Sequence, residues 1–161
     1  MMPSKRSVLT LFVATLVFLA GCSDAGFLGG KTDVVTEKKP EEPKLVGAVL
    51  TGGGCVDSPT NRVQTTKRTE NEGSHLVVTG NVSVPDAAYS LERPELVETG
   101  WSNYTLRVSS NRTTEKPQRD CVGLANYTAT VRIPDGGPHK TFTLAVVHDG
   151  EVVHRENVTS Q

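Results

Sequence analysis

The chain has 161 residues, with 17 lysines and arginines against 18 aspartates and glutamates, so its formal net charge is −1. This length allows one domain of ordinary size plus a terminal extension. Basic residues are dispersed along the chain, whereas nucleic-acid binding needs a clustered positive surface. The composition therefore argues against a nucleic-acid partner.

The first 22 residues have the layout of an export signal. Lys5 and Arg6 precede an apolar stretch of 13 residues from Val8 to Ala20. That length fits the apolar region of a signal peptide, about 7–15 residues, and is too short for a membrane-spanning helix of about 20 residues. The stretch runs directly into the quartet "LAGC", which ends at Cys22.

The quartet ending at Cys22 resembles the lipobox of prokaryotic lipoproteins. In that family the chain is cut before the cysteine, and the cysteine sulfur is linked to a diacylglyceryl group. Two acyl chains suffice for stable anchoring. The resemblance implies a signal peptide over residues 1–21 and a membrane anchor on Cys22; the alternative is an ordinary signal peptide with an incidental cysteine. Cleavage removes Lys5 and Arg6 and leaves 15 basic and 18 acidic residues, a net charge of −3.

The segment after the cysteine has the composition of a linker. It is rich in glycine, then in lysine, glutamate and proline, and contains few large apolar residues. Such a segment cannot bury enough apolar surface to offset its ordering entropy. We predict that residues 22–43 are the lipidated cysteine and a flexible tether with a root-mean-square reach of about 25 Å.

The sequence of residues 44–161 has the residue pattern of a β domain. Apolar and polar residues alternate with period 2 in three stretches, which marks half-buried strands. The predicted inward residues are Leu76, Val78, Val82 and Val84, then Tyr104, Leu106 and Val108, then Tyr127, Ala129, Val131 and Ile133. Asp149-Gly150 predicts a hairpin turn, because that turn needs positive φ. We predict an all-β domain, an antiparallel β-sandwich of 7–9 strands, with a small β-barrel as the alternative.

With Cys22 assigned to lipid, Cys55 and Cys121 form an even pair in an exported domain, where disulfides persist. We predict that they are bridged; the alternative, free or metal-binding thiols, lacks the close spacing of a zinc site. Their separation of 66 residues suggests an immunoglobulin-like (Ig-like) architecture. Arg119 replaces the expected tyrosine and Trp101 lies 46 residues after Cys55, so the sequence does not support a true immunoglobulin domain.

Five of the seven asparagines begin an Asn-x-Ser/Thr triplet, which is the acceptor for N-glycosylation on exported proteins. The five are Asn81, Asn103, Asn111, Asn126 and Asn157. They are predicted glycosylation sites; the alternative is that threonine and asparagine simply suit exposed strands and turns.

The lipobox, the triplets and the strand pattern after Cys121 together resemble small surface lipoproteins of haloarchaea. This resemblance implies a lipid-anchored protein on the extracellular face of the cell membrane. A net charge of −3 is much less acidic than is usual for extreme halophiles. A bacterial lipoprotein on the periplasmic face of the outer membrane is therefore the alternative, and Ser23 is compatible with that sorting.

No catalytic motif occurs in the sequence: Gly-x-Ser-x-Gly and His-Glu-x-x-His are both absent. A two-residue turn at Asp149-Gly150 places His148 opposite Glu151 and His154 opposite Ala145, so the two histidines are expected on opposite faces of the sheet. We interpret all four histidines, which include His75 and His139, as surface residues. No metal, cofactor or catalytic residue is predicted.

Two further stretches, one rich in glycine and one rich in glutamate, are weak candidate sites. The stretch "TGGGC", residues 51–55, lacks the Lys-Ser/Thr of a phosphate-binding loop. The stretch "SLERPELVE" holds Glu92, Glu95 and Glu98, and a solvated loop or edge strand explains it as well as a paired-carboxylate site does.

Two functions are compatible with these sequence features. The first is a non-enzymatic binding or structural module that contacts an envelope protein or a glycan. The second is a small envelope hydrolase whose active-site residues converge only in three dimensions. Trp101, the single tryptophan, is our first choice for a binding contact, because tryptophan is enriched at hot spots; the alternative is that it belongs to the core.

Overall fold

The computed structural model describes residues 41–70, 73–113 and 121–160. The predicted signal peptide, Cys22 and most of the predicted tether lie outside the described residues. The described residues form ten β-strands and one single-turn 3-10 helix. None of the helical structure in them is long and apolar enough to cross a membrane.

The strands follow one another along the chain with short connections. They are β1 Lys44–Cys55, β2 Arg62–Glu70, β3 Gly73–Val84, β4 Tyr89–Leu91, β5 Glu95–Gly100, β6 Asn103–Val108, β7 Ser110–Arg112, β8 Gly123–Ile133, β9 Thr141–His148 and β10 Glu151–Thr159, with the 3-10 turn Pro138–Lys140 before β9.

The strands form two packed sheets of four strands. The first sheet has the order β1-β8-β3-β2 and the second has the order β10-β9-β6-β5, while β4 and β7 form a small separate pair. This confirms the all-β sandwich, since neither sheet closes into a barrel. The strand number exceeds the predicted 7–9 because the short β4 and β7 add to it.

One strand pair differs from the antiparallel expectation. β6 and β9 run parallel, whereas the other paired strands are antiparallel. The cause is topological: after β6 the chain passes through the small sheet and then through the first sheet as β8. It returns to the second sheet in the direction of β6, and a parallel pair always requires such a crossover.

The inner faces of the two sheets enclose one apolar core. The residues predicted to point inward on β3, β6 and β8 are all buried, and Phe142, Leu144 and Val146 of β9 complete the core. The period-2 alternation in the sequence is thus confirmed, because successive side chains of a strand point to opposite faces.

The predicted hairpin at Asp149-Gly150 is present, and both residues have positive φ, 47° and 93°. His148 lies opposite Glu151 as expected, but a bulge follows Val152 and places His154 opposite Val146. The prediction that His154 lies opposite Ala145 is therefore wrong. One extra residue in β10 shifts the register and turns His154 to the same face of the sheet as His148.

A disulfide joins Cys55, at the end of β1, to Cys121, just before β8, with the Cα atoms 5.5 Å apart. The same two strands are hydrogen-bonded neighbours, and Cys55 pairs with Gly123 in their register. The disulfide therefore joins β1 and β8 covalently at one end, where backbone hydrogen bonds already pair the two strands.

A buried polar contact links the two sheets. Tyr127 of β8 lies across Gly80 of β3, and its hydroxyl is 2.9 Å from Nε2 of His148 in β9. A Cβ atom on residue 80 would lie 2.5 Å from the Tyr127 hydroxyl. Glycine at this position therefore gives the tyrosine its path to the opposite sheet.

Replacing Gly80 with alanine tests this arrangement. We expect Gly80→Ala to lower the free energy of unfolding by about 1–3 kcal/mol, because the new methyl group displaces a buried ring. Gly52→Ala is the matched control: residue 52 lies in exposed β1 and no atom lies within 4 Å of its added Cβ. We expect its change to stay within about 0.5 kcal/mol. Equal urea midpoints for the two variants would contradict the steric argument.

Candidate functional site

Trp101 lies in the turn between β5 and β6, and its side chain is 74% exposed. The turn has a defined shape: Ser102 has a φ of 55°, and the Asn103 side-chain amide donates a hydrogen bond of 2.9 Å to the Trp101 carbonyl. Trp101 is therefore a surface residue, and the alternative that it belongs to the core is wrong.

The indole ring rests on a buried histidine. The ring centroids of Trp101 and His139 are 5.2 Å apart, and His139 is only 4% exposed. The interpretation of His139 as a surface residue is therefore wrong. The turn Pro138–Lys140 places this side chain at the end of the core, where the tryptophan covers it.

The contact continues into the core. The Nδ1 atom of His139 is 3.5 Å from the Tyr104 hydroxyl, and the Tyr104 ring meets Phe142 edge to face at 5.5 Å between centroids. We call Trp101, His139, Tyr104 and Phe142 the aromatic stack. It connects the exposed indole to the packed interior, so the indole has a rigid base.

The Tyr104 hydroxyl in the stack is a neutral hydrogen-bonding group. Burial, together with the negative charges of Glu98 and then Glu42, raises the pKa of Tyr104 to about 12. The Tyr104 hydroxyl therefore stays protonated at neutral pH. It serves as a hydrogen-bonding group and not as a general base, which needs a pKa near the working pH.

The chain enters the domain at the end that carries Trp101. Pro43 is buried, and Lys44, the first residue of β1, pairs with Arg132 near the end of β8. The connection that follows β8 contains His139. The start of β1 and the aromatic stack therefore share one end of the sandwich, opposite the disulfide.

A second polar cluster joins the edges of the two sheets. The Nε2 atom of His154 lies 3.8 Å from a carboxylate oxygen of Glu156, and that oxygen accepts a hydrogen bond of 2.9 Å from the Thr65 hydroxyl of β2. In the described parts of the chain, no three metal-binding side chains come together. The cluster thus links β10 to β2 and presents two ligating groups.

The interpretation of His148 as a surface residue is also wrong. It has the inward parity of Leu144 and Val146 on β9, and its ring is buried against Tyr127. Burial lowers the pKa of His148 below its ordinary value, although the nearby Asp149 opposes that shift. His75, in contrast, is partly exposed on the outer face of β3, as the sequence suggested.

The five asparagines of the glycosylation triplets differ in their surroundings. Asn103, Asn111, Asn126 and Asn157 are exposed, whereas Asn81 is partly buried and accepts a hydrogen bond of 2.7 Å from the Arg62 backbone. Asn81 lies directly opposite Asn126 on the outer face of the first sheet. Among the described residues, Asn126 is the one of the five without a side-chain hydrogen bond.

The remaining sequence candidates lie apart from the aromatic stack or on open surface. The "TGGGC" stretch forms the exposed end of β1, and Glu92, Glu95 and Glu98 are all exposed along a loop and an edge strand. Sequence analysis missed His139 as the base of the Trp101 site. The glycine-proline turn before it signals a loop but not which side chain that loop covers.

No family model, curated protein or solved structure matches this chain. Its interpretation therefore depends on its own geometry. The most distinctive surface is the exposed Trp101 on the aromatic stack, which offers an apolar contact supported by a buried histidine.

The buried His148 predicts how stability depends on pH. The unfolded chain has a histidine pKa near 6.5, so it takes up a proton at a higher pH than the folded protein does. The stabilisation is complete above about pH 6.5 and is lost as the pH falls towards the folded value, by up to about 1.4 kcal/mol per pH unit.

Urea unfolding between pH 7 and pH 5 measures this slope. The His148→Gln side chain can still form a hydrogen bond but cannot titrate. We expect this variant to show a smaller change of the free energy of unfolding with pH than the wild-type chain. His75→Gln, at the partly exposed histidine on the outer face of β3, is the control for a histidine-to-glutamine substitution away from the core. An unchanged slope in His148→Gln would show that this histidine is not the cause.

Proposed function

We propose that this protein is a lipid-anchored binding module of the cell surface, without catalysis of its own, and that Trp101 is the centre of its contact surface. The observation that carries the proposal is a tryptophan side chain 74% exposed on a buried aromatic base. Tryptophan is among the residues most enriched at binding hot spots. Because the stack holds the indole in place, a partner loses little free energy in ordering it.

The anchor in this proposal is a diacylglyceryl group on Cys22, and the tether is the segment up to residue 43. The lipobox quartet supports the anchor, and the Cys55–Cys121 disulfide is consistent with an oxidising compartment outside the cytoplasm. The host is a haloarchaeon or a bacterium, with the protein on the extracellular face of the cell membrane or the periplasmic face of the outer membrane.

The position of Trp101 narrows the choice of partner. β1 begins at the same end of the sandwich as the aromatic stack, so a tether that leads into β1 arrives on the Trp101 side. A partner that contacts Trp101 is then an envelope protein or a glycan located towards the membrane. The exposed apolar indole is the group at this end of the sandwich that such a partner would contact.

Replacing Trp101 tests the contact surface. The full chain is displayed in its native membrane, and partners are captured by chemical cross-linking. We expect Trp101→Ala to reduce capture about 30-fold, the equivalent of a hot spot worth about 2 kcal/mol. Its free energy of unfolding should change by less than about 1 kcal/mol, because the side chain is exposed.

Val152→Ala is the matched control for that experiment, since Val152 is also an exposed apolar residue, at 52%, but lies on β10. We expect it to capture partners as the wild-type chain does. Full capture by Trp101→Ala would overturn the assignment of Trp101 as the contact.

Replacing Cys22 tests the anchor independently. We expect Cys22→Ser to leave an uncut precursor or to release soluble protein, because serine has no sulfur to carry the diacylglyceryl group. Ser23→Ala is the control and should fractionate with membranes as the wild-type chain does. A Cys22→Ser chain that stays in membranes as a processed form of wild-type mobility would contradict the lipid anchor.

A further inference from the structure

The edge strands of the two four-stranded sheets differ sharply in charge. In the part of the chain that the structure describes, these edges are β1, β2, β5 and β10. The charged residues on three of them are Arg62, Lys67, Arg68 and Glu70 on β2, Glu95 and Glu98 on β5, and Glu151, Arg155 and Glu156 on β10. β1 carries one charge, Lys44 at its first residue. Charged side chains are a common protection of edges against pairing with another chain, and β1 lacks that protection.

β1 also exposes apolar side chains. Of the six exposed large apolar residues in the described chain, three lie on this strand: Val46 at 51%, Val49 at 65% and Leu50 at 39%. Val49 and Leu50 are consecutive, so their side chains point to opposite faces of the sheet. Because both side chains are exposed, β1 exposes apolar surface on both faces of the sheet at Val49 and Leu50.

The central part of β1 is regular and symmetric. Its register against β8 is interrupted before Gly47 and after Thr51, and the five residues between pair without a shift. Val49 is the midpoint of this run. In an antiparallel pair of two such strands centred on Val49, Leu50 meets Ala48 of the other copy and Thr51 meets Gly47. Larger residues thus face smaller ones, and no charge faces another.

We propose that β1 is a self-association edge, through which two copies of this chain pair antiparallel and join their first sheets into one continuous sheet of eight strands. The pairing satisfies the open backbone groups of both edges. It is isologous, since the same strand is used by both copies, and such an interface closes at two copies.

The sequence of the opposite edge limits further growth. In the paired sheet both outer edges are β2, which carries four charged residues, so the sheet does not extend into a fibre. This proposal involves neither Trp101 nor the lipid on Cys22. It is therefore independent of the proposed function, and either one can fail without the other.

Disulfide trapping tests the pairing and its register. The full chain with Cys22→Ser receives a second substitution, Val49→Cys, so that its one unpaired thiol lies at the proposed centre. Opposed residues of antiparallel strands have Cα atoms about 4.5–5.5 Å apart, within the disulfide range of about 4.4–6.8 Å. We expect mild oxidation to give a band of twice the chain mass on a gel, and reductant to abolish it.

Val152→Cys in the same background is the matched control, because it places a thiol at an exposed valine of a charged edge. We expect this chain to stay a monomer under the same oxidation. The proposal is overturned if Val49→Cys yields no more dimer than Val152→Cys, or if its cross-linked partner has a different mass and is therefore another protein.

A charge at the centre of the strand provides the second measurement. In light scattering of the Cys22→Ser chain we expect a dimer, and we expect Val49→Lys to halve the measured mass while its urea midpoint matches that of the same chain without this substitution diluted to the monomer. Val152→Lys should leave the dimer intact. A chain that is monomeric at every concentration measured before the valine is replaced would overturn the proposal.

Discussion

The buried hydrogen bond between Tyr127 and His148 fixes how the two sheets face each other. It joins the strand next to the β1 edge of one sheet to a central strand of the other, in an interior where a polar group without a partner is costly. The glycine at position 80 leaves room for the Tyr127 ring, and burial lowers the pKa of His148, which favours its neutral form. The core between the sheets depends on this spacing, whereas the disulfide joins two neighbouring strands of the first sheet.

The parts of the fold that were predictable are those set by neighbouring residues. Alternation along β3, β6 and β8 and the positive-φ turn at Asp149-Gly150 each have a local cause, whereas the pair Cys55 and Cys121 is predicted by counting cysteines. The bulge after Val152 and the parallel pair of β6 and β9 depend on how distant strands meet. No local pattern in the sequence contains that information.

The histidines and the tryptophan show the same limit at the level of side chains. Polarity placed His139 and His148 on the surface, whereas the structure buries them, because each meets a tyrosine hydroxyl supplied by a distant strand. For Trp101 the sequence left a surface and a core position as alternatives. The structure places its side chain on the surface, in the turn between β5 and β6. The lipid on Cys22, the tether and the glycans on the asparagine triplets remain predictions from sequence.

The direction of β1 has a consequence for the paired form. Two β1 strands paired antiparallel about Val49 place the two Lys44 residues at opposite ends of the paired segment, about 33 Å apart. Two copies anchored in one membrane would then need one tether to run back along this distance, which about ten extended residues cover. In the proposed dimer, two lipid-anchored copies in facing membranes would need no such detour, because each tether would start from its own end of the paired strands.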